Sequence, residues 1–334
     1  MSTDIIVTVV MLAYNHKEWI RQAIEGVVKQ ETNFKFQLFV HDDCSTDGTT
    51  QIIREYAATH PEIVVPFYEV ENQYSKKIKL TQTILLPYIK SKYVALCEGD
   101  DYWTDNHKLQ LQVDYMESHN NCGLCFHNAD VVDINGKPLK GFYTKTIWKD
   151  FDLDAKLRQP EGANFSTEDI LRLDFTPTAS MLYRTEVYNE LKKYPKTLDL
   201  LTRLVSTDMG YAHYINRKMS AYRTGNSASA SGILSSEERF YNGYYKLHCE
   251  LLDCFDENTA HKYHDIIEKV KQRKEVDVYL ASLNISKVKK SPVYNELKVG
   301  RIFALYAKKY FGCIFTALKF LRTEIYRIGA NKAN

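Results

Sequence analysis

Carboxylate side chains are concentrated at two places in the first third of the 334-residue chain. Asp42 and Asp43 are adjacent, and the segment Glu98-Gly99-Asp100-Asp101 places three carboxylates within four residues. Such carboxylates repel one another, so they are best tolerated where a hard cation and its phosphate ligands neutralise them. Oxygen ligands alone suit Mg²⁺ or Mn²⁺, and Gly99 would let the backbone approach a ligand closely. The residues therefore predict a site for a metal ion and a phosphorylated ligand.

Both acidic clusters directly follow apolar segments that have the pattern of buried strands. Four such segments alternate with four segments of helical periodicity, which predicts an α/β fold with a mainly parallel sheet and helices on both faces. Ligands bind beyond the carboxyl ends of the strands in such sheets, so the clusters and Ala13-Tyr14-Asn15 are expected to line one site. The predicted strands are 5–10, 36–41, 63–68 and 93–98, and the predicted helices are 19–30, 49–59, 80–90 and 107–119.

The pattern is less regular after the first 130 residues. A strand is predicted at 124–134, an apolar run follows at 179–183, and a helix is expected to begin near Ser206. The remainder of the chain has helical periodicity with no strong strand signal. The length and this change of pattern predict an α/β domain over 1–230 and a helical region over 231–334.

Composition narrows the class of protein. Hydrophobic residues make up 44% and charged residues 26% of the chain, which excludes disordered and collagen-like proteins.

No apolar run approaches the ~18 residues of a spanning helix, and the apolar stretch 5–13 is expected to be a strand because no basic residue precedes it. Seven cysteines, an odd number, favour reduced thiols in the cytosol. No GxxxxGK[ST] or GxGxxG phosphate loop is present, which argues against ATPases and dehydrogenases.

Positive charge is concentrated at the end of the chain. The net charge is +2, but residues 285–334 alone carry +9 and the remainder −7. Wound at ~100° per residue, 301–328 has its basic side chains on one side and its apolar side chains on the other. Such a helix can lie on an anionic membrane surface, or it can pack on the body with its basic face in solvent. This distribution does not favour a nucleic-acid groove through the core, so no nucleic-acid partner is expected.

Three segments of the chain resemble the signature segments of family 2 glycosyltransferases with the GT-A fold. They are 7–16, 39–47 and 93–103, each at a strand end and in the order of the family. The resemblance covers about the first 130 residues well and continues more weakly to about residue 231. It implies a part that binds a nucleotide-sugar over 1–130, an acceptor side over 131–230, and a bacterial surface polysaccharide or lipopolysaccharide function.

The resemblance implies how the donor would be bound. Tyr14 would lie against the nucleobase, and Asp42 and Asp43 would accept hydrogen bonds from the base and ribose, which favours a UDP-sugar. The other donor-binding positions that it implies are Ala13, Asn15, Glu98, Gly99, Asp100, Asp101 and Arg223.

The resemblance also implies the chemistry. Asp100 would hold Mn²⁺ or Mg²⁺ at the diphosphate, with Glu98 in the position that is usually aspartate and Asp101 supporting them. Displacement with inversion needs a carboxylate to take the proton of the acceptor hydroxyl group. Asp208, near the expected start of a helix, resembles the late acidic element of the family and is the expected base, with Asp199 as the alternative.

The sequence thus predicts an inverting, metal-dependent glycosyltransferase acting on a glycan or lipid-linked oligosaccharide. Such an enzyme would be cytoplasmic and peripheral on the inner face of the cell membrane. Two alternatives remain open: a nucleotide- or glycan-binding protein without activity, and a sugar nucleotidyltransferase. The second normally has a Gly-rich, Arg-containing loop after the first strand, where this chain has Ala13-Tyr14-Asn15-His16. The donor sugar, the acceptor and the oligomeric state are left open.

Overall fold

The computed structural model describes residues 5–139, 150–173, 176–194, 199–225 and 237–310. Within these residues ten strands form one mixed sheet. All four strands predicted in the first 100 residues are present. The strands are β1 (Ile5–Ala13), β2 (Lys35–Asp42), β3 (Val64–Tyr68), β4 (Tyr93–Leu96), β5 (Tyr102–Trp103), β6 (Cys122–Val132), β7 (Pro138–Leu139), β8 (Ala163–Phe165), β9 (Leu182–Arg184) and β10 (Tyr211–Arg223).

The sheet has a parallel half and a mixed half. Its strands lie in the order β3-β2-β1-β4-β9-β6-β10-β5, with β7 paired to β6 and β8 paired to β10. β3, β2, β1 and β4 are parallel to one another, whereas the short β9 is antiparallel to both β4 and β6. The predicted α/β fold is confirmed, and the carboxyl ends of β1, β2 and β4 lie side by side as expected for parallel neighbours.

Helices connect and cover the strands. Those predicted at 19–30 and 107–119 are present with slightly shorter bounds, and the one predicted at 49–59 is present with the predicted bounds. The described helices are α1 (Ile20–Val28), α2 (Thr49–Thr59), α3 (Lys108–Ser118), α4 (Phe151–Lys156), α5 (Thr167–Arg172), α6 (Val187–Leu191), α7 (Asp199–Asp208), α8 (Glu237–Asn258), α9 (His264–Ala281), α10 (Ile285–Lys290) and α11 (Val299–Tyr310).

Two helix predictions are wrong. The segment expected to be a helix over 80–90 is a π-helical turn, Leu80–Leu85, followed by a 3₁₀ turn, Leu86–Tyr88. Pro87 lies inside this segment, and proline removes a backbone donor and so interrupts an α-helix. The helix expected to begin near Ser206 is α7, which ends two residues later, at Asp208.

The core lies on both faces of the sheet because alternate residues of each strand point to opposite faces. In β1, Val7, Val9 and Met11 belong to one buried cluster, which also includes Ile20 and Ile24 of α1. Val10 points to the other face and belongs to a second cluster. Burial on both faces explains why β1 is an almost continuous apolar run.

The C-terminal helices pack on the α/β body. Leu251 and Phe255 of α8 and Ile267 of α9 lie in the same buried cluster as residues of the sheet. The expected boundary at residue 230 lies outside the described residues, as does 311–328 of the expected basic helix. Among the described residues, no helix combines the length and apolar character needed to cross a membrane.

Candidate active site

The acidic loop after β4 is held against the end of β1. The Gly99 N–H donates to the Leu12 carbonyl oxygen at 3.0 Å, and the Cys97 N–H donates to Val10 at 3.1 Å. A Cβ atom at Gly99 would lie 2.7 Å from Nδ1 of His16 and 3.2 Å from the Leu12 oxygen. The geometry therefore gives Gly99 a packing role against β1, which differs from the ligand approach expected from the sequence.

Glu98 is the most isolated carboxylate of the loop. Its Oε2 atom is buried and has no hydrogen-bond partner among the described residues. Burial raises the pKa of Glu98 well above its usual value, and the negative charges of Asp199, Asp101 and Asp100 raise it further. A buried carboxylate oxygen without a donor is costly, so the donor set fits a bound divalent cation, which prefers oxygen ligands.

Arg223 of β10 fixes the position of the same loop. Its Nε donates to the Asp100 carbonyl oxygen at 3.0 Å, and its backbone N–H donates to Oδ1 of Asp101 at 2.9 Å. The guanidinium also donates to the Ile134 carbonyl oxygen and to Gln22. Burial and the charge of Asp100 raise the pKa of Asp101 well above its usual value. The observed contacts of Arg223 are structural, and its contact with a donor phosphate stays a prediction.

Asp42 and Asp43 are both buried at the end of β2. Asp42 accepts hydrogen bonds from the Ser45 N–H and the Thr50 hydroxyl group, which ties the strand end to the start of α2. The two carboxylate oxygens of Asp43 accept from the backbone N–H groups of residues 73 and 74, at 2.7 and 3.0 Å. The pair therefore shapes the loops beside the strand end, and its predicted contacts with base and ribose remain untested.

The residues after β1 bridge toward the loop after β2. The Asp43 N–H donates to the Ala13 carbonyl oxygen at 3.0 Å, and Oδ1 of Asn15 accepts from the Thr46 N–H at 2.8 Å. Asn15 has a φ of 55°, which asparagine tolerates better than most residues. Tyr14 is 43% exposed, so its ring is accessible to a ligand rather than packed in the core.

The structure places the two candidate bases at opposite ends of α7. Asp199 begins the helix, is exposed, and accepts a hydrogen bond from the Thr178 hydroxyl group at 2.5 Å. After burial, its negative charge is the largest cause of the raised pKa of Glu98. Asp208 ends the helix, and its Oδ1 accepts from Nζ of Lys262 at 3.0 Å and from the Tyr263 hydroxyl group at 2.8 Å. The fold therefore brings Asp199, the alternative, to the acidic loop and ties Asp208 to the C-terminal helices.

His16 is a further residue at this site, and the sequence predicted no role for it. Its Nδ1 is buried without a partner among the described residues, and its ring lies edge-on to Trp19, with ring centroids 5.9 Å apart. Burial lowers the pKa of His16, while the charges of Asp100, Asp47 and Asp42 oppose this shift. The available signal was its place directly after Asn15 in the first signature segment.

Residues 8–192, more than half of the chain, match the family described as Glycosyl transferase family 2. The chain belongs to this glycosyltransferase family.

Curated relatives of this chain are found in several bacteria. An uncharacterized protein of Mycobacterium tuberculosis is 30% identical over 217 residues, which are 65% of this chain and 58% of that protein. The putative teichuronic acid biosynthesis glycosyltransferase TuaG of Bacillus subtilis is 24% identical over 72% of this chain and 88% of its own length. The UDP-Glc:alpha-D-GlcNAc-diphosphoundecaprenol beta-1,3-glucosyltransferase WfgD of Escherichia coli is 29% identical over 43% of this chain and 56% of its own.

A solved structure has the same fold as this chain. The mannosyltransferase PcManGT of Pyrobaculum calidifontis, in complex with GDP-Man and Mn²⁺, aligns with a TM-score of 0.55 and 14% identity. The alignment covers 95% of this chain and 84% of the mannosyltransferase. At this identity the likeness is one of fold, and it agrees with the GT-A fold expected from the signature segments.

Proposed function

We propose that this protein is an inverting glycosyltransferase that moves a sugar from a UDP-sugar to a hydroxyl group of a glycan or lipid-linked acceptor in surface polysaccharide synthesis. The observation that carries this proposal is the unpartnered Glu98 oxygen, which lies among carboxylates at the strand ends. The names of two relatives support the substrate classes. One is assigned to teichuronic acid biosynthesis, and the other transfers from UDP-Glc to a diphosphoundecaprenol-linked sugar.

Asp100 and Glu98 would hold the divalent cation, Mn²⁺ or Mg²⁺. The cation supplies stabilisation of the negative charge on the departing nucleoside diphosphate. Arg223 keeps the Asp100 backbone in place through its hydrogen bond to the carbonyl oxygen, and Asp101 is anchored to β10. These two contacts make the acidic loop rigid, so little reorganisation is needed when the donor binds.

The donor would lie across the ends of β1 and β2. The exposed ring of Tyr14 offers a face to the nucleobase, and the carbonyl oxygen of Ala13 and the side chain of Asn15 fix the adjoining loop. Asp43 holds the backbone of residues 73 and 74, which form the neighbouring wall. In this arrangement Asp42 and Asp43 select the base through the shape of the loops as well as through direct contact.

Asp199 would take the proton from the acceptor hydroxyl group. It is exposed to an incoming acceptor and lies close enough to the acidic loop for its charge to act on Glu98. A base in this position removes the proton as the hydroxyl oxygen attacks the anomeric carbon, opposite to the departing diphosphate. Asp208 is engaged by Lys262 and Tyr263, which makes it the weaker candidate.

The C-terminal helix α11 would hold the enzyme at an anionic membrane on the cytoplasmic side. Its described part exposes Val299, Phe303 and Tyr310 to solvent, and residues 285–334 carry a charge of +9. Apolar side chains together with basic residues favour binding to an anionic lipid surface. Such a position would bring the site to a lipid-linked acceptor.

Thermal unfolding of the protein with UDP, GDP, CDP or ADP, each with and without Mn²⁺, tests the donor class. A ligand at 100 times its dissociation constant stabilises by ~2.7 kcal/mol, which is a shift of several degrees. We expect a Mn²⁺-dependent shift with UDP alone, and we expect Asp100→Asn to abolish it. A shift with another nucleotide only would overturn the UDP assignment, and no shift with any nucleotide would contradict the donor site.

A binding protein without activity is separated from an enzyme by turnover. Release of UDP from a panel of UDP-sugars is measured with acceptor glycans or with water alone. If UDP gives the thermal shift and the protein is an enzyme, at least one UDP-sugar should release UDP. Mn²⁺-dependent binding of UDP without release from any UDP-sugar would instead support the non-catalytic alternative.

A further inference from the structure

A second group of metal-ligating side chains lies at the junction of α8 and α9. Asp256 is near the end of α8, His261 is in the turn, and His264 begins α9. Nδ1 of His261 lies 2.9 Å from Oδ2 of Asp256, and Nδ1 of His264 lies 2.8 Å from the same oxygen. The three side chains can each offer one ligand atom, and these atoms lie within 4.8 Å of one another.

The hydrogen bonds within this group involve only one of the two carboxylate oxygens of Asp256. Asp256 is only 6% exposed, and its second oxygen, Oδ1, is buried without a hydrogen-bond partner in the part of the chain that the structure describes. Both imidazole rings point at the first oxygen, so one carboxylate atom serves two donors while the other has none. An unsatisfied buried carboxylate oxygen is costly, and a cation beside the carboxylate would remove that cost.

We propose that Asp256, His261 and His264 bind a transition-metal ion of the Zn²⁺ class, separate from the carboxylate site at the strand ends. Two imidazole nitrogens and one carboxylate oxygen are ligands that Zn²⁺ prefers, whereas Mg²⁺ and Mn²⁺ favour oxygen ligands alone. Tetrahedral ligands about 2.1 Å from Zn²⁺ are about 3.4 Å apart. The observed nitrogen–oxygen separations of 2.8 and 2.9 Å would need to open by about 0.5–0.6 Å to match this spacing.

Metal binding at this site would release protons from its ligands. The metal binds neutral imidazole and ionised carboxylate, so it displaces any proton held between the histidine nitrogens and Asp256. A water molecule would complete four-coordination, since three protein ligands leave one position open. No oxidant or reductant is required.

The site lies in the turn between α8 and α9, which contacts the α/β body. The Lys262 and Tyr263 side chains, between the two histidines in sequence, both donate to Asp208 at the end of α7. A cation that fixes Asp256, His261 and His264 would therefore also fix the turn that holds α7. Its role would be structural, and its effect would be seen as stabilisation of the folded chain.

Titration of the full-length protein with Co²⁺ and Zn²⁺ tests this site. The visible absorption of tetrahedral Co²⁺ reports nitrogen and oxygen ligation, and the unfolding temperature in Zn²⁺ compared with EDTA reports stabilisation. We expect one equivalent to bind to wild type, to Asp100→Asn, in which the carboxylate site is impaired, and to His60→Asn, a control at a partly exposed histidine after α2. Binding should be weakened at least about tenfold by His261→Asn and by His264→Asn.

The two histidines are more than half exposed, so their replacement leaves the core intact. The unfolding temperature of each variant in EDTA verifies that it is folded, and Asp256→Asn provides a third variant with nearly unchanged shape. Zn²⁺ binding that is equal in wild type and both histidine variants would overturn the proposal. So would an unfolding temperature of wild type that Zn²⁺ leaves unchanged. Loss of binding in Asp100→Asn alone would assign the ion to the carboxylate site.

Discussion

Asp199 and Asp208 differ by nine positions in sequence and occupy opposite ends of α7. If Asp199 is the base, Asp199→Asn should lower kcat by at least about 100-fold because general base catalysis contributes 10²–10⁴-fold. The KM for the donor should change little because the donor-binding loops are untouched. Steady-state kinetics with a saturating acceptor measures both values.

Asp208→Asn is the matched control for this prediction. It removes the same charge from the other end of the helix, where the contacts are with Lys262 and Tyr263. We expect kcat to be retained, with a small loss of thermal stability. The reverse result, with kcat lost in Asp208→Asn and kept in Asp199→Asn, would return the base to the position expected from the family resemblance.

Lys108 is a fully buried lysine under the sheet. Its Nζ donates to Oε1 of Gln112 at 2.7 Å and lies 4.0 Å from the centroid of the Trp103 ring. Burial lowers the pKa of Lys108 from 10.5 to about 7. Below pH 7 the side chain is charged in both states, so the folded state carries the full cost of a buried charge.

The free energy of unfolding should therefore depend on pH through Lys108. Between pH 7 and 10.5 the unfolded chain binds a proton that the folded chain lacks, so stability rises with pH by up to about 1.4 kcal/mol per unit. Lys108→Met should remove this rise in the free energy of unfolding. Its stabilisation relative to wild type should be largest at pH 7 or below. Urea unfolding of wild type and Lys108→Met at pH 7 and 9.5 measures the difference in their free energies of unfolding. An equal difference at the two pH values would contradict the prediction.

Single residues show how far the sequence predicts the site. The acids after β2 and β4 could be located because each follows an apolar strand. The lack of a described hydrogen-bond partner for Oε2 of Glu98 could not be predicted, since it depends on the residues that surround the loop in three dimensions. The effect of the Asp199 charge on Glu98 likewise depends on the tertiary position of α7, which no local sequence pattern records.

At the level of elements, the contact between α1 and β5 depends on a glycine. A Cβ atom at Gly26 would lie 2.8 and 2.9 Å from the backbone oxygen and nitrogen of Trp103. Gly26→Ala should destabilise the fold by about 1–3 kcal/mol through overpacking, although alanine favours helix. Gly243→Ala in α8 is the matched control because, among the described residues, no atom lies within 4 Å of a Cβ atom added there.

We expect Gly243→Ala to be neutral or to stabilise by up to about 1 kcal/mol. Urea unfolding of both variants gives the comparison. Equal stabilities for Gly26→Ala and Gly243→Ala would show that the helix can move away from the strand at little cost.

The strands and helices were predicted best where no residue opposed the hydrophobic pattern. β1 is an almost continuous apolar run, and α2 was predicted with the bounds that the structure has. Prediction failed at 80–90, where Pro87 opposed the helical periodicity, and at α7, whose end was taken for its start. The order of the strands, with β9 between β4 and β6, rests on contacts that are distant in sequence.

For the whole molecule, membrane association is tested by charging the apolar face of α11. Val299→Asp and Phe303→Asp should each lower the affinity for vesicles containing anionic lipid on the order of tenfold, since an apolar side chain is lost from the interface. Val70→Asp is the control, because Val70 is 93% exposed on the loop after β3. Co-sedimentation with vesicles measures binding, and equal losses in all three variants would contradict a specific role of α11.

The place of β9 also affects how the chain is made. β4 is complete at residue 96, but its neighbour β9 begins only at residue 182. A ribosome adding about 5–20 residues per second would leave the free edge of β4 uncovered for roughly 4–17 s. An uncovered edge strand pairs readily with other chains, so the nascent protein exposes an aggregation-prone edge during this interval.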